Sequence, residues 1–102
     1  MALIPLATNG DSAVVNLRDF YQQERNISYD IIGTLVGDVT IEGSFKEEPA
    51  SDADYILIQT LTIPSGQVRT SAPKIDPGGY VNVRFRVSAY TSGTSTLETR
   101  VF

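Results

Sequence analysis

Cysteine, histidine and tryptophan are absent from this sequence of 102 residues, and it has one methionine. Without cysteine the chain has no disulfide, no thiolate nucleophile and no zinc–thiolate site. Without histidine it lacks the most common general base and the most common transition-metal ligand. These absences exclude most hydrolytic and metal-dependent chemistries. We therefore expect no catalytic residue, no cofactor, no metal site and no enzymatic activity.

Long apolar runs and excess positive charge are also missing. Eight Lys and Arg oppose twelve Asp and Glu, and the resulting net charge of −4 is unfavourable for general nucleic-acid binding. The first ten residues, MALIPLATNG, lack the basic start and long apolar stretch of a secretory signal. The hydrophobic content of 41% is ordinary for a globular domain. We expect a domain that is made in the cytoplasm and binds neither nucleic acid nor a membrane.

Alternation of apolar and polar residues with a period of two runs through most of the chain and predicts strands. The turn signals between strands leave no room for crossover helices, which favours an antiparallel sandwich. The prediction is an all-β fold, an antiparallel β-sandwich of jelly-roll or immunoglobulin-like type with six to eight strands and an N-terminal arm. We assign residues 1–11 to the arm and 12–102 to a single sandwich domain. Strands are expected at 12–17, 27–36, 39–45, 55–63, 67–71, 80–90 and 94–102.

Two hairpins are predicted from the same alternation. In one, residues 94–102 fold back on 80–90 through a three-residue loop that ends at Gly93. A glycine suits that position because the backbone there adopts the left-handed conformation. In the other hairpin, residues 27–36 pair with 39–45. In each pair the apolar positions then share one face of a sheet, as opposed residues of antiparallel strands do.

Basic and aromatic side chains on the long strand are candidate contact residues. Arg84, Arg86 and Arg100 are assigned to the outer face of the last predicted hairpin, where Arg84 would lie opposite Arg100. They are either solvated residues that protect a sheet edge or a patch that pairs with an acidic partner surface. Tyr80 and Tyr90 bracket the strand. They are either half-buried sheet residues or contacts at the rim of an interface.

Two further segments stand out by their composition. Residues 47–54, EEPASDAD, are interpreted as a solvated acidic loop. A calcium site is the alternative, but the segment has neither the glycine bend nor the spacing of an EF-hand. Residues 55–63, YILIQTLTI, are apolar at nearly every position. We expect both faces of this strand to be covered, one by the core and the other by a neighbour or a partner.

The N-terminal segment is apolar and contains Leu3, Ile4 and Leu6 around Pro5, which keeps it from the middle of a sheet. A free apolar arm in water is unfavourable. The segment therefore packs either on its own domain or on a neighbouring subunit. In the second case, Leu3, Ile4 and Leu6 make intersubunit contacts in a closed homo-oligomer.

Residues 33–44, GTLVGDVTIEGS, and 81–94, VNVRFRVSAYTSGT, resemble a pattern found in small β-sandwich proteins of tailed-bacteriophage virions. In those proteins a strand of the type G-T-x-x-G-x-V-T-x-E-G-S leads into a loop. A hairpin of the type V-R-V-x-A-Y-T-S-G-T later closes the chain. The resemblance covers roughly residues 27–102 and identifies no catalytic residue. The relatives often have aromatic residues in the loop after the first motif, where this chain has acidic ones.

Such domains serve as head decoration proteins, tail accessories and fibres. The resemblance implies a virion structural protein, chiefly a capsid decoration or cement protein that bridges capsid subunits. It also implies a trimer, with the major capsid protein or another virion protein as partner. The arm, the arginines and the two tyrosines named above are the candidate subunit or capsid contacts. The alternative is a receptor- or carbohydrate-binding module of a phage tail or fibre, which would use the loops 46–54 and 73–79.

Overall fold

A computed structural model of the chain describes residues 4–17, 26–46, 48–75 and 79–101. These residues contain eight strands and one 3₁₀ turn, at Asp52–Asp54. Each of the seven predicted strands overlaps an observed strand, with ends that differ by up to four residues, and one further strand lies within the predicted arm. In chain order the strands are β1 Ile4–Leu6, β2 Ser12–Asn16, β3 Ile27–Gly33, β4 Val36–Ser44, β5 Ile56–Ile63, β6 Arg69–Ile75, β7 Asn82–Ser92 and β8 Ser95–Val101.

The strands form two four-stranded sheets that pack face to face. Sheet A has the order β1-β8-β3-β6, sheet B has the order β2-β7-β4-β5, and every pairing is antiparallel. The pairs β4–β5, β3–β6, β2–β7 and β1–β8 are nested inside one another along the chain. This nesting is the jelly roll, one of the two sandwich types that the sequence left open. The prediction of an all-β antiparallel sandwich is confirmed.

Both predicted hairpins are wrong. β7 lies in sheet B and β8 in sheet A, and β3 and β4 are likewise in different sheets. In each of these two strand pairs, the apolar faces therefore meet across the core, and the strands are not side by side in one sheet. Alternation along a strand indicates which face is buried, but it does not indicate which strand is the neighbour. Gly93 does adopt the expected left-handed conformation, with φ of +79°, at the point where the chain crosses between the sheets.

The core lies between the two sheets and is formed by the residues that the alternation assigns to the inner face. Val83, Phe85 and Val87 of β7 are fully buried, as is Leu97 of β8. The ring of Tyr29 in sheet A packs on Phe85 in sheet B, with 5.5 Å between ring centroids. This aromatic contact joins the two layers at the centre of the sandwich.

The two chain crossings are hydrogen-bonded to each other. The backbone N–H of Thr34 donates to the carbonyl of Thr94 (2.8 Å), and that of Leu35 donates to the hydroxyl of buried Ser95 (3.1 Å). A Cβ at Gly93 would collide with the carbonyl of Thr34, so only glycine allows the crossings to approach this closely. Gly33-Thr34 and Gly93-Thr94, which belong to the two sequence motifs described above, thus meet at one end of the sandwich.

Candidate protein-binding surface

Arg84 lies on the outer face of β7, a central strand of sheet B, yet only 8% of the residue is exposed. Its Nε donates a hydrogen bond to Glu42 (2.8 Å), its Nη2 also pairs with Glu42, and its Nη1 donates to Asp52 (2.8 Å). The guanidinium carbon is 3.9 Å from the centroid of the Tyr55 ring, a cation–π contact. The charge of Arg84 is therefore satisfied within the chain.

The acidic loop is docked on sheet B by these contacts. Asp52 pairs with Arg84 and also, at 3.3 Å, with Arg86. The hydrogen bond from Arg84, followed by the charge of Arg86, lowers the pKa of the Asp52 carboxyl. Asp54 accepts hydrogen bonds from Lys46 Nζ and from the backbone N–H of Ala50, both at 2.7 Å, and its pKa is lowered mainly by Lys46.

The described residues of this segment are mostly exposed, in agreement with a solvated loop, but the carboxylates of Asp52 and Asp54 are paired with basic side chains. Within the described ranges, no three acidic side chains come together as ligands of a metal ion. The loop takes this position because it connects β4 to β5 and passes over the end of the sheet where Arg84 lies. Sequence spacing could not reveal the contact, since Asp52 and Arg84 are far apart along the chain.

The three arginines do not form one patch. Arg84 and Arg86 are on the outer face of sheet B, whereas Arg100 is opposite Ser28 on the outer face of sheet A. The expected pair of Arg84 with Arg100 does not occur, because β7 and β8 are in different sheets. The arginines are thus divided between the two outer surfaces, and two of them are already paired with carboxylates.

Both tyrosines that bracket the long strand are half-buried and packed in their own chain. The Tyr80 ring covers Gly43 and stacks against Phe45, with centroids 4.7 Å apart. The hydroxyl of Tyr90 donates to the carbonyl of Gly93 (3.0 Å). Phe45, which the sequence did not single out as a contact residue, is 63% exposed. The surface aromatic at this end of the molecule is therefore Phe45.

The N-terminal segment packs on its own domain in this structure. β1 is an edge strand of sheet A and pairs with β8, with Ile4 opposite Leu97. Leu6 is fully buried in the core of the same chain, and Pro5 is in an edge strand, where the loss of its N–H is tolerated. Leu3 lies outside the described residues. The segment therefore belongs to the sandwich in the single chain.

β5 is the edge strand of sheet B, and its two halves differ. Leu61 and Ile63 in the second half are buried in the core. In the first half, Ile56, Leu57 and Ile58 are 47%, 59% and 37% exposed. Within the single chain no neighbour covers the first half, so the expected cover by a partner stays a prediction. We call Phe45, Ile56, Leu57 and Ile58 the apolar edge surface, since Ile56 pairs with Gly43, two residues before Phe45.

No charged residue interrupts the chain between Tyr55 and Val68. The apolar edge surface is therefore continuous with an uncharged strand and turn. Large exposed apolar side chains at an unpaired sheet edge favour association with another protein chain. The signal was present in the sequence as an uncharged, largely apolar strand, but its place at a sheet edge depends on the topology.

A shallow polar depression lies on the outer face of sheet A. It has a volume of about 220 Å³ and is lined in part by Ser28, Asp30, Glu98 and Arg100. Arg69 forms a two-point hydrogen-bonded pair with Asp30 at 2.9 and 2.8 Å. The depression has polar groups but little apolar wall, and it is smaller than the usual pockets for small ligands.

Comparisons of the chain with known families, curated proteins and solved structures found no match. In the described part of the chain, no helix has the length and apolar character needed to cross a membrane.

Proposed function

We propose that the protein is a structural protein of a tailed-bacteriophage virion, chiefly a capsid decoration protein that bridges capsid subunits. The observation that carries the proposal is the apolar edge surface at β5, together with the virion-like sequence pattern. An unpaired strand edge at which the consecutive residues Ile56, Leu57 and Ile58 are all exposed is suited to bind protein. The jelly roll also occurs in viral capsid domains, a likeness of fold only.

The function would be mechanical. Copies that bind across neighbouring capsid subunits add interface area and thereby resist the internal pressure of packaged DNA. A rigid sandwich suits this role because its two layers share one core and its crossings are hydrogen-bonded to each other. The paired charges of Arg84, Glu42 and Asp52 keep the outer face of sheet B ordered beside the apolar edge surface.

The test is binding to phage heads that lack the protein. Purified protein is mixed with heads of the phage that encodes it, and bound copies are counted after sedimentation. We expect saturable binding and release of DNA from the heads at a higher temperature. Tails of the same phage serve as the control. Binding to tails and not to heads, or to neither, would overturn the decoration role.

A receptor- or carbohydrate-binding module of a tail or fibre is the second candidate. The observation in its favour is the polar depression at Asp30, Glu98 and Arg100, since lectins also use jelly-roll folds. A glycan array tests it. A specific signal that is lost in Arg100→Ala would favour the carbohydrate-binding role, whereas a decoration protein gives no specific glycan signal.

A further inference from the structure

The four sheet edges of the molecule are protected to different degrees. β1 is only three residues long and contains Pro5, and β2 is only five residues long. β6 contains Pro73 and carries Arg69 and Lys74. Short length, proline and charge are the usual devices that prevent an edge strand from pairing with another chain. β5 has eight residues, no proline and no charged residue. A bulge is its one protective feature.

β5 itself meets the simplest requirement for a strand that adds to this edge, since it carries no charge that would be placed beside the apolar residues. We propose that β5 pairs antiparallel with β5 of a second copy, so that the two sheets B form one continuous sheet across a twofold axis. This inference rests on the proposed function only in the use of β5 for association: it assigns the edge of β5 to a second copy of this chain, so the dimer and not the single chain would bind the capsid. The contact is isologous and closes at two copies.

Charge favours the antiparallel arrangement. Glu48, Asp52 and Asp54 precede β5, whereas no acidic residue follows it before residue 76. Antiparallel pairing places the acidic loops of the two copies at opposite ends of the joined strands. A parallel arrangement would bring the loops side by side, where like charges repel.

The register follows from the faces of β5. Opposed residues of antiparallel strands share a face, so Gln59, which is opposite buried Ile41, faces inward. Thr60 therefore faces outward. One extra residue in β5, at Ile58, shifts the alternation, so Leu57 pairs with outward-facing Glu42.

Only a twofold axis at Thr60 both matches these faces and uses the whole strand. It places Thr60 opposite Thr60 of the second copy, Leu57 opposite Thr62, and Ile56 opposite Ile63. An axis displaced in either direction along the strand leaves residues at one end of β5 without a partner in the second β5. The edge surface thereby gains a neighbouring strand on the side that the chain itself leaves open.

An engineered cysteine tests the register directly, because the natural chain contains none. Directly opposed residues have Cα atoms about 4.5–5.5 Å apart, within the range of a disulfide. We expect Thr60→Cys to form a disulfide-linked dimer as the main species under mild oxidation. Ser71→Cys, at an exposed position of edge strand β6, is the matched control and should remain uncross-linked.

A charge at the axis tests the interface without a covalent bond. Light scattering coupled to size exclusion should give a mass near twice 11.1 kDa for the natural chain. Thr60→Lys places two like charges opposite each other and should shift the mass to 11.1 kDa, whereas Ser71→Lys should leave it unchanged. Circular dichroism of each variant shows that the fold is kept.

Two outcomes overturn the pairing. One is a natural chain that is monomeric at every concentration, with Thr60→Cys cross-linked no more than Ser71→Cys. The other is a three-copy assembly that Thr60→Lys does not dissociate. Failure of the pairing with retained binding to heads leaves the decoration role standing. A β5-linked dimer that binds no head would overturn the decoration role and support the pairing.

Discussion

β5 and β6 are consecutive edge strands, one in each sheet, and they are of nearly equal length. β6 contains proline and two basic residues and has no fully buried residue. β5 has no charge and no proline, and it divides into a buried half and an exposed apolar half. Because the two strands are nearly equal in length, a few side chains account for the difference in how open the two edges are.

Within β5, the residues that stabilise the fold are different from those that are available for association. In β5, Leu61 and Ile63 belong to the core, whereas Ile56, Leu57 and Ile58 contribute little to it. A single strand can therefore anchor the fold with one half and offer a binding surface with the other. β6 has no fully buried residue to anchor the fold, and its proline and basic residues make it a poorer binding edge.

The largest effect should come from the buried half of β5. Ile63→Ala removes a side chain that is nearly fully buried, and we expect a loss of about 2–4 kcal/mol in the free energy of unfolding. Leu57→Ser in the exposed half should change that free energy by less than about 0.5 kcal/mol. Denaturant unfolding of both variants, with Thr60→Lys present in each to remove association, measures the difference. Equal losses would contradict the division of β5 into two halves.

The next largest effect should distinguish two arginine–carboxylate pairs, Arg84 with Glu42 and Arg69 with Asp30, by how much each stabilises the fold. Arg84→Met leaves the partly buried Glu42 without its cation and removes the Tyr55 stacking, which should cost about 1–3 kcal/mol. Arg69→Met breaks an exposed pair with Asp30 beside β6, and we expect a clearly smaller change. Thermal unfolding of the two variants decides the order. A larger effect at Arg69 would mean that the ionic contacts of sheet B are not structural.

The smallest effect should be a pH dependence of the loop beside β5. The pKa of Asp52 is lowered below its ordinary value of 3.8, chiefly by the hydrogen bond from Arg84. Its contribution to stability is therefore complete above that value and is lost as the pH falls through the lowered pKa. The melting temperature of Asp52→Asn should lie below that of the natural chain at neutral pH.

At acid pH the two melting temperatures should converge, because the natural carboxyl is then also neutral. Glu48→Gln, which removes the same charge from an exposed position in the same loop, is the control and should follow the natural chain throughout. A constant difference between Asp52→Asn and the natural chain from pH 7 down to pH 2 would show that the Asp52 contact is not ionic.

The sequence predicted the buried faces well and the neighbours poorly. Val83, Val87 and Leu97 are inward as the alternation indicates, because a period of two is a local property of a strand. The nesting of strands is a non-local property, so residues 80–90 and 94–102 were paired with each other although they are in different sheets.

The same reason limits prediction of the binding surface. The apolar character of residues 55–63 was visible in the sequence, but whether the strand would be central or at an edge was not. The pairing of Arg84 with Asp52 brings together a strand and a loop that only the folded topology places in contact. Side chains that are neutralised in this way look like free charges in the sequence.

The nested pairing of the strands also bears on how the chain folds. β4 and β5 are joined by residues 45–55 and can meet at less entropic cost than β1 and β8, because the pairing of Ile4 with Leu97 closes nearly the whole chain. Contacts should then form from the β4–β5 pair outward, with β1 joining last. The uncharged strand would be among the first to form, which exposes newly made chains to self-association before the core is complete.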